Sequence, residues 1–124
     1  MDKLIKFGLD FHGVCNKRPE LFSFLSHAIV AAGGELHIIT GPRFEKVGPQ
    51  LTELNIAYTH FFSIVEEEER KGITVIEWKD GDPFMAMDVW NKAKADYCSR
   101  MSIDLHIDDS AKYGEFFIIP FFSF

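Results

Sequence analysis

The chain has 124 residues and a formal net charge of -6, enough length for one hydrophobic core but short of two. An acidic balance argues against wrapping a nucleic-acid backbone, which needs a basic surface for counterion release. No apolar run approaches the roughly 20 residues that span a bilayer, so no membrane partner is expected.

Residues 1–124 therefore read as a single domain. At 47% hydrophobic and 26% charged residues, the composition is that of an ordinary globular protein. The 13 Phe residues point to an aromatic core or a partner surface, which makes a homodimer worth testing. Cys15 and Cys98 lie far apart and in no metal spacing, as expected in a reducing compartment. The N-terminus lacks the basic-then-apolar pattern of a signal peptide. A cytoplasmic location is the expectation.

In chain order, residues 4–10 form a near-continuous apolar strand of the kind buried on both faces of a parallel sheet. It ends in Asp10, and a loop with His12, Gly13, Cys15, Asn16, Lys17 and Arg18 follows. Pro19 suits the first position of a helix. Leu21, Phe22, Leu25, Ala28, Ile29 and Ala32 continue it at helical spacing until Gly33-Gly34. Residues 35–39 are the next strand, ending in Thr40-Gly41-Pro42, which completes a βαβ unit. Phe44 to Leu54 is helical but carries Gly48-Pro49, predicting two short pieces or a late start at Pro49. Residues 60–64 read as a third strand.

Ser63 and Glu66 have capping-box spacing for a short acidic helix, 66–71, closed by Gly72. Its glutamate run reads as a solvated face. Ile73 to Trp78 alternates like a strand, and Lys79-Asp80-Gly81-Asp82-Pro83 is a strong turn signal. Residues 72–83 can thus form a small hairpin flap. A helix from about Met85 to Met101 precedes a strand, 103–107, that ends in Asp108-Asp109-Ser110. Glu115 to Pro120 is expected to be the last strand, with Pro120 favouring an edge position or a strand end.

Three apolar strands thus end in polar groups: Asp10, Thr40 and the Asp108-Asp109 pair. Parallel strands place their carboxyl ends on one sheet edge, where open α/β folds bind ligands. Each ending alone also reads as a turn or a helix cap. Crowded carboxylates repel one another unless they share a hard cation such as Mg²⁺, which takes oxygen ligands. Such a cation would attract a phosphate, the Thr40 hydroxyl could donate to it, and Lys92 or Lys94 could balance its charge. An Asp carboxylate can then attack phosphorus.

The order Asp10-x-x-Gly13, Thr40-Gly41, a helical lysine and Asp108-Asp109 resembles the haloacid dehalogenase (HAD) superfamily over most of the chain. The resemblance implies a three-layer, Rossmann-like α/β fold with a mostly parallel sheet of about five strands. The Asp10 strand would be central, between the Thr40 and Asp108-Asp109 strands. It implies a Mg²⁺-dependent phosphomonoester hydrolase that passes through an aspartyl-phosphate on Asp10. Thr40, Gly41 and Lys94 (preferred over Lys92) would bind the phosphoryl group. Asp10, the backbone carbonyl of His12, Asp108 and Asp109 would hold the metal. The chain departs from the family pattern at residue 12, where an aspartate normally serves as acid and base. A histidine, with an unperturbed pKa of about 6.5, could serve both roles. It could equally mark an inactive HAD-like module that binds a metal, a phosphate ligand or a partner protein.

Other readings fit less well. A two-component receiver carries its acidic pair at the first strand, not near the C-terminus. A cysteine phosphatase needs an arginine six positions after its cysteine, and Leu21 stands there relative to Cys15. The remaining histidines share no His-x-x-x-His spacing, so zinc is not expected, and His37 and His106 read as ordinary strand residues. Nothing in the sequence names the substrate, and there is no room for a large cap domain between Gly13 and Thr40.

Overall fold

The structure, a computed structural model, describes residues 4–74, 76–77, 83–84, 87–109 and 119–124. Its elements in chain order are β1 (Lys6–Leu9), α1 (Pro19–Ala31), β2 (Glu35–Thr40), α2 (Phe44–Glu53), β3 (His60–Ser63), α3 (Ile64–Arg70), β4 (Ile76–Glu77), β5 (Pro83–Phe84), α4 (Met87–Arg100), β6 (Leu105–Asp108) and β7 (Phe121–Ser123). Five strands form a sheet in the order β3-β2-β1-β6-β7, and every pair in it is parallel. The Asp10 strand is therefore central, between the strands that end in Thr40 and Asp108. The fold is α/β and Rossmann-like.

Helices cover both faces of the sheet, and each face has its own core. On one side Leu9, Leu36, Ile38 and Ile107 pack with Phe22 of α1 and with Val47 and Leu51 of α2. On the other, Ile39 and Phe62 pack with Ile64 of α3 and with Tyr97 and Cys98 of α4. Leu9, Leu36, Ile38 and Ile39 are fully buried, and each such side chain contributes about 1.5–3 kcal/mol of transfer free energy. That burial fixes the register, because a one-residue slip would exchange the side chains facing the two cores. Gly8 is required by packing: a Cβ there would lie 2.8 Å from both the His106 ring and Ile39. His106 is also its register partner on β6.

Four expectations are corrected or bounded. First, α2 is one continuous helix through Pro49. Its Val47 and Leu51, one turn apart, are both fully buried; anchoring that face outweighs the hydrogen bond a proline forfeits so near the helix start. Gly48 also leaves room for the Phe44 ring, which would meet a Cβ at 2.8 Å. Second, the acidic run on α3 is not wholly solvated. Glu68 is buried, 3.7 Å from Lys71, while Glu67 pairs with Arg70 at 2.6 Å and Arg100 of α4 at 3.6 Å. The helix leans on α4 and needs those cations. Third, β4 and β5 form the expected antiparallel hairpin, pairing Ile76 with Phe84 and Glu77 with Pro83; its turn lies outside the described residues.

Fourth, the strand expected from Glu115 to Pro120 falls largely outside the described residues, and the last described strand is β7. It starts just after Pro120 and lies at the sheet edge, where a missing N–H is tolerated. Pro120 instead offers its carbonyl to the His106 N–H at 3.1 Å. The aromatic terminus divides by residue: Phe124 packs edge-on against Phe22, with centroids 5.2 Å apart, while Phe122 is exposed. Among the described residues, no helix is long and apolar enough to cross a membrane. The capping prediction at Ser63 holds, since its Oγ accepts the Glu66 N–H at 3.2 Å.

Candidate functional site

At the carboxyl edge of the central strand, the backbone N–H of Asp10 still donates to Ile107 O at 3.0 Å. Asp10 is thereby tied to β6 one residue beyond the last pair of β1. Its Oδ1 accepts the next N–H, that of Phe11, at 2.8 Å, as an aspartate at a strand-to-turn junction does. The chain then coils tightly through residues 11–15. His12 is extended within that coil and Gly13 takes φ +79°, a left-handed conformation that side chains resist. Gly13 donates to Asn16 Oδ1 at 2.7 Å, and any Cβ on it would overlap the Asp109 carboxylate. The first loop and the Asp108-Asp109 loop thus close on each other at a glycine.

Lys94 on α4 crosses to this edge. Its ammonium lies 2.8 Å from Asp108 Oδ2 and 3.2 Å from Asp10 Oδ1, and the whole residue is buried. Lys92, two positions earlier, is exposed and lines a separate surface cavity between α3 and α4. The structure therefore brings Lys94, not Lys92, to the carboxylates. Thr40 is buried at the end of β2. Gly41 follows it and accepts hydrogen bonds from Ser63 Oγ at 3.0 Å and the Val65 N–H at 3.2 Å. Both stand on the Asp10 edge, one strand away. His12 is half-buried, with its ring edge-on to Phe11 at 5.1 Å.

Sequence reasoning missed His106. It lies two residues before Asp108 on the same strand, hence on the same face. Its Nε2 lies 2.9 Å from Asp108 Oδ2, both side chains fully buried. The His-x-Asp spacing within a strand was the available signal. Asn16, the acceptor for Gly13, had none beyond its place in the loop.

These contacts divide charge unequally. Burial raises Asp10; Lys94 offsets this in part, Asp108 and Asp109 add to it, and the result is a carboxyl pushed up to about 8. Burial acts on Asp108 in the same sense, but the hydrogen bond from His106 and the charge of Lys94 together outweigh it, leaving that carboxyl below its ordinary range. Asp108 is nearer the ammonium and holds the extra donor, so it takes the negative charge first. Asp109 is raised by burial and by its neighbour Asp108. Cys15, beside the site, is a buried thiol pushed up to about 12 by burial and by Asp10, which leaves it inert as a nucleophile.

One carboxylate oxygen from each of Asp10, Asp108 and Asp109 can be chosen so that all three lie within 4.8 Å of one another. Three hard oxygen donors at that spacing suit Mg²⁺ or another hard divalent cation. Both oxygens of Asp108 already accept hydrogen bonds, Oδ2 from Lys94 and Oδ1 from the Asp109 N–H at 2.8 Å. Asp108 therefore orients the lysine as much as it offers a ligand. No family model, curated protein or solved structure matches the chain.

Proposed function

We propose that this protein is a Mg²⁺-dependent phosphomonoester hydrolase of the HAD type, with Asp10 as nucleophile. The observation that carries the proposal is Asp10 itself. It is a buried carboxylate at the end of the central strand, 3.2 Å from a buried ammonium and grouped with two further carboxylates that suit a hard cation. A structural turn aspartate needs none of that company.

Bound beside Asp10 and Asp109, Mg²⁺ would supply the positive charge that holds Asp10 ionised near neutral pH and neutralises a phosphate. The chain's own residues do the rest. Lys94 holds a phosphoryl oxygen and the Thr40 hydroxyl donates to another, with the Gly41 backbone keeping that loop in place. An Asp10 oxygen attacks phosphorus in line, and the P–O bond to the leaving group breaks. His12 as imidazolium gives its proton to the departing oxygen. The now neutral imidazole then takes a proton from water, whose oxygen attacks the aspartyl-phosphate; inorganic phosphate leaves and the Asp10 carboxylate is restored. Buried Cys15 and Cys98 suit a cytoplasmic setting, and the substrate is a phosphorylated small molecule or macromolecule.

The second reading, a non-catalytic module that binds metal or phosphate, is favoured by one feature: residue 12 is an imidazole where the resemblance calls for a carboxylate. The deciding experiment is phosphate release with Mg²⁺ on a panel of phosphomonoesters, comparing wild type, Asp10→Asn and His12→Asp. Turnover that requires Asp10 supports the hydrolase. Silence in wild type with turnover in His12→Asp supports the binding module.

A further inference from the structure

A second group of ligating side chains lies away from the acidic edge, at the amino ends of β2 and β3. Glu35 and His37 are two apart on β2 and so share a face. His60 is the register partner of His37 on β3, which brings its ring against the same pair. One ligating atom from each of the three lies within 4.8 Å of the others. His37 Nε2 is 2.8 Å and His60 Nδ1 3.9 Å from Glu35 Oε1. The two imidazoles stack in parallel, with centroids 4.2 Å apart. We propose that Glu35, His37 and His60 form a binding site for a divalent transition ion of the Zn²⁺ class, distinct from the acidic cation site.

The donor chemistry selects the metal. Two imidazoles and one carboxylate are a borderline nitrogen-rich set that suits Zn²⁺, Co²⁺ or Ni²⁺ and is poorly matched to Mg²⁺. The surroundings prepare both histidines. His37 is fully buried and its Nδ1 lies 2.7 Å from the Tyr97 hydroxyl. That is where a metal-bound imidazole places its outer hydrogen bond while Nε2 takes the ion. His60 Nδ1, the atom 3.9 Å from Glu35 Oε1, also lies 2.8 Å from Thr59 Oγ1, a hydroxyl that can donate to Leu36 O at 3.1 Å when Nδ1 takes the ion.

Glu35 and His60 are partly exposed, with side chains 23% and 40% accessible. An ion can therefore reach the site and keep a water as its fourth ligand. His60 must tilt off the stack to aim at a shared ion, and its exposed side gives it room. Lys6, close enough to act electrostatically on Glu35, opposes the ion's charge and limits affinity. Linear spacing shows none of this, because His37 and His60 are 23 positions apart and meet only through strand pairing.

The test is a Co²⁺ titration of the full chain in excess Mg²⁺, read by visible ligand-field absorption, followed by competition with Zn²⁺. Expected are bands that saturate at one equivalent and vanish on adding Zn²⁺. The dissociation constant should rise at least tenfold in Glu35→Gln and in His60→Ala and stay unchanged in Asp10→Asn and Asp109→Asn. His60 is half-exposed, so its variant tests the site without removing the buried His37. Absence of bands in wild type would overturn the proposal. So would bands that survive His60→Ala with unchanged affinity or disappear in Asp109→Asn.

Discussion

Asp10 is a group whose ionisation the fold opposes, and replacing it with asparagine separates stability from function. Its carboxyl is raised from 3.8 to about 8. At about 1.4 kcal/mol per unit, full ionisation in the folded state costs on the order of 6 kcal/mol. Asp108, held low by His106 and by the same lysine, is present in wild type and variant alike, so Asp10→Asn should gain a few kcal/mol, at most about that cost, near pH 8. A raised folded-state carboxyl keeps its proton where the unfolded chain has lost it. Its stabilising contribution is complete below about pH 4 and is lost as pH rises through about 8. The replacement asparagine does not titrate, so the variant's advantage must widen from about pH 5 to about pH 8. Asp108 has the opposite sign, stabilising above its unfolded value and losing that contribution only in strong acid. Urea unfolding followed by circular dichroism in EDTA at several pH values measures the gap. Mg²⁺ should narrow it by stabilising wild type alone, and phosphatase turnover should be lost in the variant at every pH. A variant less stable than wild type near pH 8, or a gap that does not change with pH, would refute the charge assignment.

Other outcomes follow from the same contacts. Lys94→Met removes the cation beside buried, ionised Asp108 and should destabilise the fold by about 3–5 kcal/mol, read by urea midpoint. Gly13→Ala forces a left-handed alanine against the Asp109 carboxylate; it should cost about 1–3 kcal/mol and weaken Mg²⁺ binding measured by calorimetry. Ser63→Ala removes both the cap on α3 and the hydroxyl that holds Gly41 O. It should lower stability by about 1–2 kcal/mol in thermal or urea melts. His12→Asp should shift the pH profile of phosphate release to lower pH, because a carboxyl loses its proton below an imidazole.

Much of this fold was legible in the linear chain because the signals were local. The apolar run ending in Asp10, the helix from Pro19 to the Gly33-Gly34 stop and the Ser63 cap each depend on neighbours a few residues away. Pro49 misled because burial of Val47 and Leu51, a tertiary effect, outweighed a local preference. The solvated reading of the glutamate run holds for Glu66 and Glu69, which are exposed, but not for buried Glu68, whose cover is again a tertiary effect. Among the site residues, Asp10, Thr40 and Asp108-Asp109 could be named from strand endings alone.

What the sequence by itself determined is the three strands that end in Asp10, Thr40 and Asp108, and the parallel α/β class, because hydrophobic period and chain punctuation act over a few residues. Tertiary structure decided which groups touch. The preference for Lys94 over Lys92 rested on a resemblance until the packing of α4 put Lys94 against Asp10 and Asp108 and left Lys92 exposed. Raising Asp10 while lowering Asp108 required distances of about 3 Å from Lys94 on α4 to both carboxylates, where burial and charge act strongly. The meeting of His37 and His60 required strand register, since sheet pairing places side by side residues that no spacing rule connects.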